Sequence, residues 1–180
     1  MFVQTEVTPN PNSLKFLPGK NVSSCGSFEI TKKEETESEL VRNLLSINGV
    51  TGVFLGADFL SINKKEDVIW EDIKHIVISL INEFYATGKE FVITNKLFKE
   101  KSGDRNEIEK KIISILEAKI RPAVAKDGGD IKFKDFKDGI VRVELQGSCS
   151  GCPSSTMTLK QGVQNLLCHY IPEVKEVISV

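Results

Sequence analysis

Ile140-Val141-Arg142-Val143-Glu144-Leu145-Gln146-Gly147-Ser148-Cys149-Ser150-Gly151-Cys152-Pro153-Ser154-Ser155 is the stretch on which the fold turns. Val141, Val143 and Leu145 alternate with Arg142 and Glu144, which predicts a strand with one wet face. Pro153 suits a first helical position, so a helix is expected over about residues 154–168. Between strand and helix sit two cysteines three residues apart. Gly147 and Gly151 let the backbone turn tightly there and bring amide N–H groups near the sulfurs. Upstream, Lys137-Asp138-Gly139 joins this strand to another at residues 131–136, because Asp-Gly between alternating strands signals a hairpin. Asp127-Gly128-Gly129-Asp130 is a sharp turn that stops helical structure, with both aspartates read as turn formers. Before it, Ile108, Ile112, Ile115, Leu116 and Ile120 share one helix face that Asp104-x-x-Glu107 can cap. Pro122 forces a break or a new first turn. With a last strand at residues 174–180, this half reads α-β-β-α-β.

Upstream, residues 99–106 carry charges and a glycine and no apolar side chain, which reads as a linker. It divides the chain of 180 residues into a first domain at 1–98 and a second at 107–180. The first domain opens with extended segments near residues 2–7, 14–17 and 27–30, punctuated by Pro9-Asn10-Pro11-Asn12 and Pro18-Gly19. A helix follows, with Thr36-x-x-Glu39 as capping box and Leu40, Val41, Leu44 and Leu45 as its apolar stripe. Strands at 50–55 and 59–63 are joined by Gly56-Ala57-Asp58. A second helix carries Ile73, Ile76, Val77, Leu80, Ile81 and Phe84 at helical spacing, and a strand at 91–94 closes the domain. The fold class is therefore α+β, two small domains each with helices on a small sheet.

Composition narrows the function. With 24 basic and 25 acidic side chains the net charge is −1, which lacks the basic excess of a general nucleic-acid binder. No apolar run approaches the roughly 20 residues of a membrane-spanning helix. The first residues, Met1-Phe2-Val3-Gln4-Thr5-Glu6, show neither a basic–apolar secretory leader nor an Arg-rich transit segment. No nucleophilic triad, phosphate loop or HExxH motif is present, so an enzyme is not expected.

Chemistry concentrates at Cys149 and Cys152. The following helix turns its positive end toward the thiols and favours thiolate, the form that binds metal. A structural zinc or an iron–sulfur cluster usually takes four protein ligands, and one chain supplies two here. Cys168 lies 16 residues beyond Cys152, roughly 24 Å along an unbroken helix, too far to reach back. Cys168-His169 reads as a helix end, and Cys25 sits in a small-residue loop of the other domain. Two chains facing each other across a two-fold axis would complete a four-cysteine site. Such a site, on a loop, is expected to be exposed and easily disassembled. Two other uses of the pair stay open: a thiol–disulfide redox protein and a zinc-binding interaction module.

The run Ile120-Arg121-Pro122-Ala123-Val124-Ala125-Lys126-Asp127-Gly128-Gly129-Asp130, followed by residues 141–145 and Gly147-Ser148-Cys149-Ser150-Gly151-Cys152-Pro153, resembles the C-terminal domain of NifU-type (Nfu) iron–sulfur scaffold proteins. Thr8-Pro9-Asn10-Pro11-Asn12-Ser13-Leu14-Lys15-Phe16 and Gly49-Val50-Thr51-Gly52-Val53-Phe54 resemble the Nfu N-terminal domain. The resemblance implies a [4Fe–4S] cluster bridging two subunits through Cys149 and Cys152 of each. It also implies a homodimer when loaded, upstream cluster-assembly proteins as donors, and transfer to apo-proteins such as lipoyl synthase- or aconitase-like enzymes. Neither nucleic acid nor membrane is an expected partner. The N-terminal domain is expected to contact clients or donors. The compartment expected is a bacterial cytoplasm, or the mitochondrial matrix if a transit peptide has been removed.

Overall fold

A computed structural model describes residues 2–23, 26–89, 105–150 and 153–180, without the side chains of 153–155. The expected strand at 91–94, most of the linker at 99–106, and Cys25 and Cys152 lie outside the described residues.

The N-terminal half forms a five-stranded antiparallel sheet. Its strands are β1 (Gln4–Val7), β2 (Ser13–Leu17), β3 (Phe28–Ile30), β4 (Val50–Leu55) and β5 (Leu60–Lys64), in the order β1-β2-β5-β4-β3. Two helices cover one face, α1 (Glu39–Leu45) and α2 (Trp70–Ala86). Period-2 alternation sets which side chains meet them. Phe16, Leu60, Ile62 and Val53 point inward against Leu44, Val77 and Ile81 of the helices. The alternate residues Lys15, Ser61, Asn63, Phe54 and Glu29 belong to the opposite, outer face. The expected capping box at Thr36 is corrected. A 3-10 turn at Lys33–Glu35 comes first, and α1 is capped by Ser38, whose Oγ accepts from the N–H of Val41. Thr36 instead accepts from the N–H of Ser38, which holds that cap in place. Trp70 opens α2, donates its indole N–H to the Pro11 carbonyl, and lies beside Phe16.

The C-terminal half runs α3 (Glu107–Ile115), a π-helical turn (Leu116–Ile120), α4 (Arg121–Lys126), β6 (Gly129–Lys137), β7 (Ile140–Gly147), α5 (Pro153–Tyr170) and β8 (Glu176–Ser179). The α-β-β-α-β order is therefore as expected, with the first helix in two pieces and Pro122 in the first turn of the second. The cap of α3 is Asn106 paired with Glu109, two residues past the expected one. β6 and β7 form the hairpin across Asp138-Gly139, and β8 adds to β7 in parallel. Ile112, Val124, Ile131, Val143, Val163 and Leu167 make a second apolar core, separate from the first. No described helix is long and apolar enough to cross a membrane.

Candidate metal centre

Cys149 sits two residues past the end of β7 and four before the start of α5. Gly147 makes the bend possible. Its φ of +67° is a left-handed conformation that side chains disfavour, and a Cβ there would lie 2.6 Å from the Gly128 carbonyl oxygen. Gly129 is required for a different reason, close approach. A Cβ on it would stand 2.7 Å from the sulfur of Cys149. The Asp-Gly-Gly-Asp stretch and the cysteine loop are thus pressed together, with Ser148 donating its backbone N–H to the Gly128 carbonyl at 3.2 Å and its hydroxyl to that of Asp127. Thr156, in the first turns of α5, donates to the Cys149 carbonyl at 3.2 Å. A cleft of about 400 Å³ lies beside Cys149, walled by Val124, Thr158 and Leu159 and by Pro9 from the N-terminal half.

The expectation of an exposed cysteine loop is corrected for Cys149. Its residue exposure is 8%, and the outer face of the N-terminal sheet packs on the loop. Asn10 gives one side-chain N–H to the Ser148 carbonyl at 3.1 Å and the other to that of Ser150 at 3.3 Å, while its Oδ1 accepts from the N–H of Asn12. Asn63 donates to the Gly147 carbonyl at 3.1 Å, and Ser61 to that of Gly128 at 2.6 Å. Lys15 reaches the Lys126 carbonyl at 3.4 Å. From the other direction, the Gly147 N–H and the Ser150 hydroxyl meet Oε1 of Glu29 at 3.3 and 3.2 Å. Burial is the largest influence on Glu29 and pushes its carboxyl above the usual range, against the pull of those two donors. Sequence reasoning misses all five of these side chains. Asn10 and Lys15 lie inside the stretch singled out for its likeness, yet alternation alone assigns the outer face to water.

Asp130 is also corrected, since it lies within β6 and forms no turn. Its carboxylate takes a two-pronged bond from Arg121, Nε to Oδ1 and Nη2 to Oδ2, both at 2.9 Å. The N–H of Ile131 and the hydroxyl of Ser27, from the N-terminal half, complete its partners. Cys168 is half-buried on α5, with its sulfur 3.2 Å from the Val174 carbonyl, a structural contact as expected. His75 is exposed, as expected. Among the described residues no three of His, Cys, Asp and Glu gather as a metal-holding group. The chemistry at hand is one sulfur in a loop rich in backbone amides, beside a cleft.

An α-β-β-α-β unit with paired cysteines between strand and helix, joined to an antiparallel sheet with two helices, defines the class: an α+β protein with a cysteine-bearing loop. The chain belongs to the NifU-like family of that class. The family model described as "NifU-like domain" matches residues 112–178, and "Scaffold protein Nfu/NifU N terminal" matches residues 3–88. Similar proteins include "NFU1 iron-sulfur cluster scaffold homolog, mitochondrial" of Homo sapiens, 44% identical over 100% of this chain and 72% of its own length. "NifU-like protein 4, mitochondrial" of Arabidopsis thaliana is 42% identical over 98% of this chain and 65% of its own. The chain thus spans about two thirds of the length of these curated relatives. The solution structure of a NifU-like protein from Saccharomyces cerevisiae is 33% identical, covering 50% of this chain and 82% of that one at a TM-score of 0.46.

Proposed function

We propose that this chain is an iron–sulfur cluster carrier, built as two domains at residues 1–98 and 107–180 with a linker at 99–106. Cys149 and Cys152 of each of two chains would hold one [4Fe–4S] cluster as cargo, giving a homodimer when loaded. One observation carries the reading. The single sulfur described in the site stands on a strand-to-helix loop, and no metal-holding group gathers around it among the described residues. A four-ligand cargo would draw on Cys152, three residues on in the sequence, and on the same pair of a second chain. The names of the similar proteins agree with this reading.

Delivery is ligand exchange. Each entering client thiol loses a proton and forms an iron–sulfur bond, while a Cys149 or Cys152 bond breaks and that thiolate regains a proton. Oxidation states do not change and no substrate is turned over, so the chain acts as a carrier and not as an enzyme. Donors would be upstream assembly proteins, and acceptors apo-proteins of the lipoyl synthase or aconitase kind. The relatives above carry mitochondrial names, which favours the matrix over the bacterial cytoplasm expected from the first residues.

Anaerobic reconstitution with iron and sulfide, read by Mössbauer spectroscopy and native mass, tests this. The expected result is about four irons and four sulfides per two chains. Cys149→Ala should lose the cluster while keeping its far-ultraviolet circular dichroism. A cluster retained in Cys149→Ala would sink the ligand assignment. Retention of zinc alone would make the chain an interaction module, and an iron-free monomer cycling a Cys149–Cys152 disulfide would make it a redox protein.

A further inference from the structure

We propose that the outer face of the N-terminal sheet is a receptor for the chain's own cysteine loop, and that it caps this loop until a cluster is loaded. The inference rests on the carrier reading for its purpose, although the cap itself stands on contacts alone.

An antiparallel sheet with one face on its core normally gives the other face to water, and here the pattern of that face is polar. Yet Ser61 is 0% exposed and Lys15 8%. The Gly128 turn lies over Ser61 and over the Cβ of Lys15, whose ammonium also pairs with Glu6 at 3.2 Å and lies over Phe59 in its own half. The contact is built mainly from side-chain donors of one half and main-chain carbonyls of the other, with Glu29 accepting from the Gly147 N–H and the Ser150 hydroxyl. The carbonyls of Lys126, Gly128, Gly147, Ser148 and Ser150 are each met by Lys15, Ser61, Asn63 or Asn10. At its margin Lys132 donates to the Ser27 carbonyl at 2.9 Å, while Phe54, between Ser61 and Glu29, lies against Gly147. Apart from the Phe54 ring, which is 1% exposed, the groups in this contact can be satisfied by water. Protein–protein bonds replacing protein–water bonds leave a small net gain, so burial of the Phe54 ring is the main apolar hold on the closed form. By contrast, each half keeps its own apolar core when they part.

The cap and the shared site exclude each other. A second chain's loop must come up to Cys149, and Pro9 and Asn10 stand on one side of it, which leaves only the cleft walled by Val124, Thr158 and Leu159. If the closed form outweighs the open one tenfold, apparent affinity for cargo falls by about the same factor. Binding of the cargo then displaces the cap, and empty chains are kept from exposing a reactive loop.

Lys15 reports the state of the cap without involving the cysteines. The experiment is amine acetylation of the full chain, with the rate at Lys15 read by peptide mass. Ser61→Arg places a long charged side chain on the outer face, which the inner core does not feel and the 126–129 turn cannot accommodate. Acetylation of Lys15 should quicken about tenfold in the empty variant, and iron uptake should quicken alongside it. Ser61→Ala, which removes only the bond to Gly128, should quicken it about threefold and serves if the arginine variant does not fold. In the wild-type chain, cluster loading should make Lys15 as reactive as in Ser61→Arg. Unchanged Lys15 rates in both variants, or a loaded wild type with Lys15 still shielded, would overturn the cap. If the wild type takes up no cluster, the carrier reading fails, while the labelling of the empty variants still decides whether the cap exists.

Discussion

The two faces of the N-terminal sheet are both buried but held by different forces. The inner face presents Phe16, Leu60, Ile62 and Val53 to helices α1 and α2, and has no other place to go. The outer face presents Lys15, Ser61 and Asn63 to the cysteine loop and, apart from the buried Phe54 ring, would be as well served by solvent. Burial alone therefore does not measure how firmly a face is held. The apolar face costs free energy whenever it meets water, by about 25 cal/mol for each Å². The polar face exchanges one set of hydrogen bonds for another.

The widest test of that difference is on the inner face. Phe16 is fully buried between the sheet and Trp70. Phe16→Ala should cost about 3–5 kcal/mol, because the transfer term and the cavity term add. Urea denaturation of the full chain measures it, as a lowered midpoint for the N-terminal half. A loss below about 1 kcal/mol would mean that the inner face is not the one the fold depends on. A middle case lies in the C-terminal half, where Asp130 is buried but Arg121 remains about one-third exposed. Arg121→Ala leaves the carboxylate with only Ser27 and the Ile131 N–H. Solvent reaching the vacated space reduces the usual penalty for an orphaned buried charge, so about 2 kcal/mol is expected. Thermal unfolding monitored in the C-terminal half reads it out, and Arg121→Lys should recover only part, since an ammonium cannot make the two-pronged bond.

These two faces also mark what can be read from the sequence. The inner one is legible because alternation in β5 and the 3.6-residue stripe of α2 select the same partners. The strand–loop–helix at 140–155 is legible because glycine, proline and cysteine each leave few conformations. Helix starts are misplaced at Thr36 and Asp104 because several residues there can cap, and Ser38 and Asn106 win by their place relative to the first free N–H groups. Asp130 is misread because its partner, nine residues away, comes alongside only after the Gly128 turn reverses the chain. The outer face is illegible for a more general reason. A polar residue every second position is the pattern of a wet surface, and nothing local distinguishes water from the backbone of a distant turn. Asn10 is the nearest to a signal, as a turn residue within a distinctive stretch. Its two carbonyl partners are more than 130 residues away.

The smallest expected effect falls on that residue, and its smallness is the point. Asn10→Asp keeps the acceptor that holds the Asn12 N–H and the size of the side chain. It removes both donors and sets a carboxylate against the carbonyls of Ser148 and Ser150. Inside an apolar core this exchange would cost several kcal/mol, since a buried charge would face two acceptors with nowhere to turn. At a separable contact the cost has a ceiling. Once repulsion exceeds the free energy of closure, the halves part, the carboxylate and both carbonyls find water, and each half keeps its core. The loss in equilibrium stability at pH 7 should then stop at about 1–2 kcal/mol, with the two apolar cores intact by near-ultraviolet circular dichroism. Alkylation of Cys149 by N-ethylmaleimide should rise at the same time, as the loop comes out from under the sheet. A loss of about 4 kcal/mol or more, with Cys149 no more reactive, would show that the outer face is held as firmly as the inner one and that the two halves fold as a single unit.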